Sequence, residues 1–317
     1  MALASNHTVC LGSYGNCTTL AELSTNNAIA ETRANGKRVS FPFISHCCKS
    51  CTSSYTCSNS RMEEQHVVDL ILPYTAPPHH RAPPVFVELG GFNGIHESNT
   101  IHLQHCLGWH GVLIEAQPTA FDDLIRNRPG VVAMHSAVSV DCQAADSVAQ
   151  FEASGGTSGR IHSTSKQRTK LVTVPCAPMS RLLDALSIKH ISFLSLDVEG
   201  GEFQVLRSID WSRQSVGILV VEEIQGKLNG VDFAEKNANV TQFLRTQTRM
   251  QYLFQACWHP QACDAYWVDP HFVDLDRLAE RNRTYDVAAP ARVRMGATHA
   301  HAVNPKCVAP RPAAVAA

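Results

Sequence analysis

Four apolar runs in this chain carry carboxylates at or near their ends. Glu88 sits in Val85–Leu89, just before the glycine turn Gly90-Gly91-Phe92-Asn93-Gly94. Glu115 closes Val112–Glu115, 27 positions after Glu88. Asp197 closes Ile191–Asp197 and opens the stretch Asp197-Val198-Glu199-Gly200-Gly201-Glu202. Such acids can accept hydrogen bonds or a proton, and glycine beside them lets the backbone come close to a ligand. Glu115 is placed to accept two hydrogen bonds from ribose hydroxyls. Asp197 and Glu199 are the candidates for a base that takes a proton from a hydroxyl. Glu202 suits the first turn of a following helix, where an acid is favoured by the helix dipole. Glu222-Glu223 ends a further apolar run and can serve a substrate or face solvent.

The glycine turn discriminates among ligands. A dinucleotide turn reads G-x-G-x-x-G and sets a helix N-terminus on a pyrophosphate. Here the pattern is Glu88-x-Gly90-Gly91-x-x-Gly94. An acid in that place repels a pyrophosphate and tolerates a cationic ligand, and S-adenosylmethionine carries a sulfonium and an ammonium. The ribose role of Glu115 is shared with NAD-binding proteins and does not discriminate by itself.

These residues need elements to hold them. Val85–Leu89 is β-branched and aromatic, follows Pro83-Pro84, and reads as a buried strand. Ser98 is placed to cap a helix over 99–106 that stops at Gly108. After the strand at Glu115, Pro118 suits the first turn of a helix over 119–127. Strands follow at 131–140, 171–176, 191–197 and 217–223, with helices over 181–186, 203–209 and 240–250. Tyr252–Gln255 and Ala265–Val268 form a final antiparallel pair. Alternating strand and helix over 85–225 implies a doubly wound parallel sheet with its ligand at the C-terminal strand ends. Gly90, Glu115, Ala137 and Asp197 all lie there.

The 317 residues divide into a cysteine-rich extension (1–60), a main domain (61–285) and an Ala/Pro-rich tail (286–317) that reads as disordered. Arg61–Leu72 has the spacing of a helix or strand against the first core strand. Residues 74–84, with four prolines and His79-His80, read as a linker, and 141–170 as a polar stretch whose Gly155–Gly159 loop lies where a lid would be. Net charge −1 gives no sign of a nucleic-acid partner, and no apolar run approaches the roughly 18 residues of a membrane helix.

Six of the twelve cysteines (Cys10, Cys17, Cys47, Cys48, Cys51 and Cys57) crowd into the first 57 residues. Disulfides, free thiols, or a zinc half-site at Cys48-x-x-Cys51 are the open readings. Clustered cysteines and four Asn-x-Thr sequons point to the secretory pathway. The lack of a basic and apolar leader opposes it, with the cytoplasm as the alternative.

The chain resembles the FkbM-type methyltransferases. The matching pieces are Phe86-Val87-Glu88-Leu89-Gly90-Gly91-Phe92-Asn93-Gly94, Ser98-Asn99-Thr100 and Leu107–Pro118. Downstream come Ala137-Val138-Ser139, Phe193–Glu202 and Val220-Val221-Glu222. The resemblance spans about 85–225 and extends to about 270, and leaves the extension and tail outside. It implies a Rossmann-like class I methyltransferase fold: α/β, doubly wound, with a mostly parallel sheet, an antiparallel last strand and the small cysteine-rich extension. It implies S-adenosylmethionine as cofactor and O-methylation of a sugar or other small hydroxylated acceptor. Carried over residue by residue, Glu88, Gly90 and Gly94 look like the turn holding the methionine part. Glu115 would hold the ribose, Ser136-Ala137 would lie beside adenine, and Asp197 would face donor and acceptor. Asn93 departs from the aspartate often found in this family and keeps its hydrogen bonding. A divalent metal is compatible with this many carboxylates, but no His/Asp spacing compels one. A degenerate, non-catalytic binding module for a glycan or protein is the second reading, and an NAD-dependent dehydrogenase the third. The acceptor and the oligomeric state are not legible.

Overall fold

A computed structural model describes residues 8–11, 17–19, 58–75, 84–153, 159–161, 170–228 and 231–284. The first strands are β1 (Thr8–Leu11), β2 (Cys17–Thr19), β3 (Val85–Leu89), β4 (His110–Glu115) and β5 (Val132–His135). Next come β6 (Ala137–Val138), β7 (Val148–Ala153), β8 (Arg160–Ile161) and β9 (Lys170–Ala177). β10 (His190–Leu196) and β11 (Ser215–Ile224) complete the parallel core. The short pair β12 (Lys227–Leu228) and β13 (Val231–Asp232) precedes the hairpin of β14 (Gln251–His259) and β15 (Ala262–Val268).

Nine strands make the central sheet, in the order β14-β15-β11-β10-β3-β4-β5-β1-β2. β11, β10, β3, β4 and β5 run parallel, and β15 lies antiparallel against β11. The parallel part of the sheet starts at β3, winds outward through β4 and β5, then crosses to β10 on the other side. The β3/β10 boundary is therefore the point where the winding reverses, which is where such sheets open a crevice for a ligand.

Alternate residues of each core strand feed two apolar layers, as strand geometry requires. Val87, Leu89, Leu194, Leu196, Leu219 and Val221 pack on one face against Met179, Leu182 and Leu183 of α4 (Met179–Ala185). Val205 and Leu206 of α5 (Glu202–Arg207) and Val240 and Leu244 of α6 (Ala234–Gln247) complete that layer. Phe86, Leu113, Phe193, Ile218, Val220 and Tyr266 pack on the other face. Their partners come from α1 (Glu63–His66, continued by a π turn and a 3-10 turn to Tyr74), α2 (Ile101–His105), α3 (Pro118–Asn127) and α7 (Leu275–Thr284). Burying strands on both faces explains why their sequences are nearly continuous apolar runs.

Four features differ from the sequence expectation. The first 60 residues are not wholly outside the sheet: β1 pairs antiparallel with β5, and β2 with β1. The strand expected over 131–140 is two strands. β5 stays in the central sheet, while β6 turns away to pair with β9 in a separate four-stranded sheet. The polar stretch 141–170 supplies β7 and β8 to that sheet. The 61–72 segment is one irregular helix whose ladder changes from α to π to 3-10 within twelve residues, 63–74. The Cys48-x-x-Cys51 pair, His79-His80, most of the 155–159 loop and the tail lie outside the described residues.

Two disulfides lie within the main domain, Cys142–Cys176 and Cys257–Cys263. The first ties the loop after β6 to β9, and the second crosses the β14–β15 hairpin. No helix among the described residues is long and apolar enough to cross a membrane.

Candidate active site

The crevice is built where the glycine turn leaves β3. Gly90 has φ +78°, and a Cβ there would lie 2.0 Å from the Asp197 carbonyl oxygen. Only glycine lets the β3 and β10 turns meet backbone to backbone at this point. The Gly90 N–H donates to the Ile114 carbonyl at 3.1 Å, tying the turn to β4 as well. Phe92 has φ 44° and gives its N–H to Glu115 Oε2 at 2.7 Å. Asn93 Oδ1 accepts the N–H groups of Ile95 and His96, at 3.0 and 2.8 Å, so its side chain caps the turn.

Glu115 ends β4 beside this turn. Its other oxygen accepts the Gln117 N–H at 2.6 Å. Burial pushes its carboxyl up to about 7, against the pull of the Gln117, Phe92 and Ala116 N–H groups. Nearby, the buried Gln117 Oε1 has no hydrogen-bond partner among the described residues. Ser136 donates its N–H to the Glu115 carbonyl at 3.1 Å and its hydroxyl to the Ala137 carbonyl at 2.6 Å. Ala137 then pairs with Cys176, the disulfide partner of Cys142. Glu115, Ser136 and Ala137 therefore form one continuous wall.

Asp197 stands on the opposite side, at the end of β10. Its side chain is exposed to solvent, with the carboxyls of Glu199, Glu202, Glu222 and Glu63 around it. Enclosure, then the negative charge of Glu199, raises its carboxyl to about 8. Asp197 hydrogen-bonds to Glu222 of β11, whose carboxyl is also driven upward by burial and by Asp197 itself. Two carboxyls this close cannot both ionise, so the pair holds a proton between them at neutral pH. A second carboxyl pair, Glu63 and Asp264, lies close by, with Asp264 facing Glu222 across the β11–β15 ladder. Among the described residues no group of three or more His, Cys, Asp or Glu side chains is arranged to hold a metal ion.

Comparison with known proteins fits this architecture. The family model for the methyltransferase FkbM domain matches residues 79–254. The chain belongs to the FkbM methyltransferase domain family. The solved structure of the human methyltransferase 10 domain containing protein is similar over 66% of this chain and 81% of its own, at 14% identity and TM-score 0.37. Aeropyrum pernix fibrillarin, solved with natively bound S-adenosyl-L-methionine, is similar over 61% of this chain and 69% of its own, at 11% identity and TM-score 0.34. No curated protein matches the sequence.

Within this FkbM domain the expected site residues fall into two groups. Gly90, Gly94, Glu115, Ser136, Ala137 and Asp197 gather around the C-terminal ends of β3, β4, β5 and β10. Glu88 is one level lower and fully enclosed. It accepts from Ser98 Oγ at 2.9 Å, from the Asn99 N–H at 2.9 Å and from Thr100 Oγ1. Ser98 thus serves Glu88 rather than capping α2, which starts after Thr100. Glu199 has φ 57° at the second turn. Glu202 Oε1 holds that turn, accepting the N–H groups of Val198 and Gly200 at 3.2 and 3.0 Å.

Sequence reading of this FkbM domain passed over Arg128, Glu63 and Asp264. Arg128 is 1% exposed and sits just after α3. An arginine before Pro129-Gly130 at a helix end carries the signature of a solvated C-terminus, so nothing local marked it for burial.

Proposed function

We propose that this protein is an S-adenosylmethionine-dependent O-methyltransferase acting on a hydroxyl of a sugar or other small molecule. Its membership of the FkbM methyltransferase family supports the reaction class. The observation that carries the cofactor reading is the Glu115 wall. The Glu115 carboxylate, beside the glycine turn and braced by the Phe92 and Gln117 N–H groups, offers two acceptor oxygens, which suits the two hydroxyls of a ribose. The same wall continues into Ser136 and the apolar Ala137, a surface suited to a base.

Bound S-adenosylmethionine supplies a methyl group on a sulfonium, already activated for in-line displacement. The protein's task is then alignment and proton removal. In this reading Asp197, exposed at the end of β10, is the base that takes up the proton the acceptor hydroxyl loses. Glu222 holds the other side of Asp197, and Glu199 tunes it through charge. The carboxyl pairs Asp197–Glu222 and Glu63–Asp264 offer hydrogen bonds to a polyhydroxylated neutral acceptor and repel an anionic one. That polarity favours a carbohydrate hydroxyl over a carboxylate or phosphate acceptor.

The experiment is calorimetric titration of the folded chain with S-adenosylmethionine, S-adenosylhomocysteine and NADH, followed by labelled-methyl transfer to a panel of sugars. Micromolar binding of the first two ligands with methyl transfer to a sugar is the expected result. A folded sample that binds neither would return the chain to the non-catalytic binding reading, and binding of NADH alone would revive the dehydrogenase.

A further inference from the structure

The loop that follows the glycine turn, residues 93–100, is held by a buried arginine from outside its own strand–helix unit. Arg128 leaves the C-terminal end of α3 and runs inward beneath the loop. Its Nε donates to Gln104 Oε1 at 2.7 Å. Its Nη1 donates to the Gly94 carbonyl at 2.9 Å and to Ser98 Oγ at 2.8 Å. Its Nη2 donates to the Thr100 carbonyl at 3.3 Å and to Thr100 Oγ1 at 3.1 Å. A guanidinium has five N–H donors in a rigid fork, and here each one has an acceptor. Asn127, the residue before it, donates to the Asn93 carbonyl at 2.9 Å.

The two hydroxyls settle how charge is arranged. Ser98 Oγ and Thr100 Oγ1 each accept from Arg128 and each donate to Glu88 Oε2. An arginine cannot receive a proton from a hydroxyl, so both hydroxyl protons must point at Glu88. The unit is a guanidinium–hydroxyl–carboxylate relay with its polarity fixed. Burial raises the Glu88 carboxyl, and the positive charge of Arg128 works against that rise. Breaking such a unit at one end leaves an uncompensated buried charge at the other. Gly94 is part of the same arrangement, since a Cβ there would lie 2.5 Å from Arg128 Cγ.

We propose that Arg128, acting through Ser98 and Thr100 on Glu88, is the positioning residue that presets loop 93–100 and with it the cofactor turn 90–94. Glu88 then serves the cofactor from beneath, as the anchor of its loop. The inference rests on the cofactor reading given above and assigns a function to two buried residues, Arg128 and Glu88. Lysine is not an adequate substitute, because a single ammonium cannot reach five acceptors spread over Gly94, Ser98, Thr100 and Gln104.

The test uses the full chain and three variants, Arg128→Met, Arg128→Lys and Thr100→Val. The last removes one hydroxyl of the relay with little change of shape, and covers the case in which Arg128→Met does not fold. Amide hydrogen exchange without ligand and titration with S-adenosylhomocysteine are measured on samples that unfold cooperatively. The expected result is at least tenfold faster exchange at 92–100, with β10 and β11 unchanged. S-adenosylhomocysteine affinity falls at least tenfold in the arginine variants and several-fold in Thr100→Val. Folded variants with wild-type exchange at 92–100 and wild-type affinity overturn the proposal while the cofactor reading stands. A wild-type chain that binds neither S-adenosylmethionine nor S-adenosylhomocysteine overturns the cofactor reading itself, and the proposal with it.

Discussion

The Glu115 carboxylate accepts the Phe92 N–H at 2.7 Å. One acid at the end of β4 thereby fixes the glycine turn at the end of β3 while keeping lone pairs for a ligand. Phe92 holds a left-handed φ of 44° to make this bond, which links the shape of the turn to the ionisation of Glu115. Replacing Glu115 with alanine should weaken S-adenosylmethionine binding by about 1–3 kcal/mol through lost hydrogen bonds. Titration calorimetry checks it, and unchanged affinity would remove Glu115 from the ribose role.

Ligand binding should also release protons near pH 7. Burial holds the Glu115 carboxyl at about 7, so it is partly protonated without ligand. Ribose hydroxyls donating to it, and a cationic ligand beside it, favour the ionised form. Calorimetry in two buffers of different ionisation enthalpy should give different apparent binding enthalpies, with the difference lost in Glu115→Gln.

Turnover should rise with pH through about 8, because Asp197 must lose its proton before it can accept one. Asp197→Asn should abolish turnover while the chain still folds. Glu199 is the largest charge that raises Asp197, so Glu199→Gln should move the rising limb to lower pH. A pH–rate profile that stays in place would show that Asp197 does not govern the reaction.

Stability should run in the opposite sense over the same range. Asp197, Glu222 and Glu115 all have folded values above their unfolded ones. The folded chain therefore holds more protons than the unfolded chain. Their contribution is fully present below about pH 4 and is lost as pH rises through about 7 for Glu115 and about 8 for Asp197, while that of Glu222 goes on falling towards about 12. The difference in Tm between Asp197→Asn and wild type should therefore grow in the variant's favour from pH 5 to pH 8.

Reduction should destabilise the wall beside Ala137. Cys142 and Cys176 are 34 positions apart, and closing a loop of that length is worth about 3–4 kcal/mol. A Cys142→Ser/Cys176→Ser double variant should show a lower Tm, and reductant should lower its Tm less than that of the wild type, the Cys257–Cys263 bond being the one left to reduce in the main domain. An unshifted Tm would mean that β6 and β9 hold together without the bond.

Gly90 sets a strict limit. Alanine there would carry a left-handed strain of about 1–2 kcal/mol. It would also place a methyl group 2.0 Å from the Asp197 carbonyl. Gly90→Ala should lose ligand binding even where circular dichroism shows the fold retained, and wild-type affinity in that variant would show the turn to be tolerant.

The sequence by itself determined the plan of the molecule. Alternating apolar runs and helix signals over 85–225 are local patterns, and burial on both faces forces them into a doubly wound sheet. Glycines and acids after those runs marked the crevice for the same reason: strand ends are where the backbone can meet a ligand. What each acid touches was decided only by tertiary structure. Glu88 precedes the glycine turn and reads as a ligand contact, yet its partners are Ser98, Asn99 and Thr100, with Arg128 arriving from forty positions away to complete the relay. Glu202 holds the second turn, because the helix start at 202 brings its carboxylate back onto Val198 and Gly200. The pairs Asp197–Glu222 and Glu63–Asp264 join residues from separate elements. Apolar periodicity is written along the chain, because burial acts on every residue of an element. The choice of partner for a charged group depends on which distant elements the packed core brings within hydrogen-bond reach.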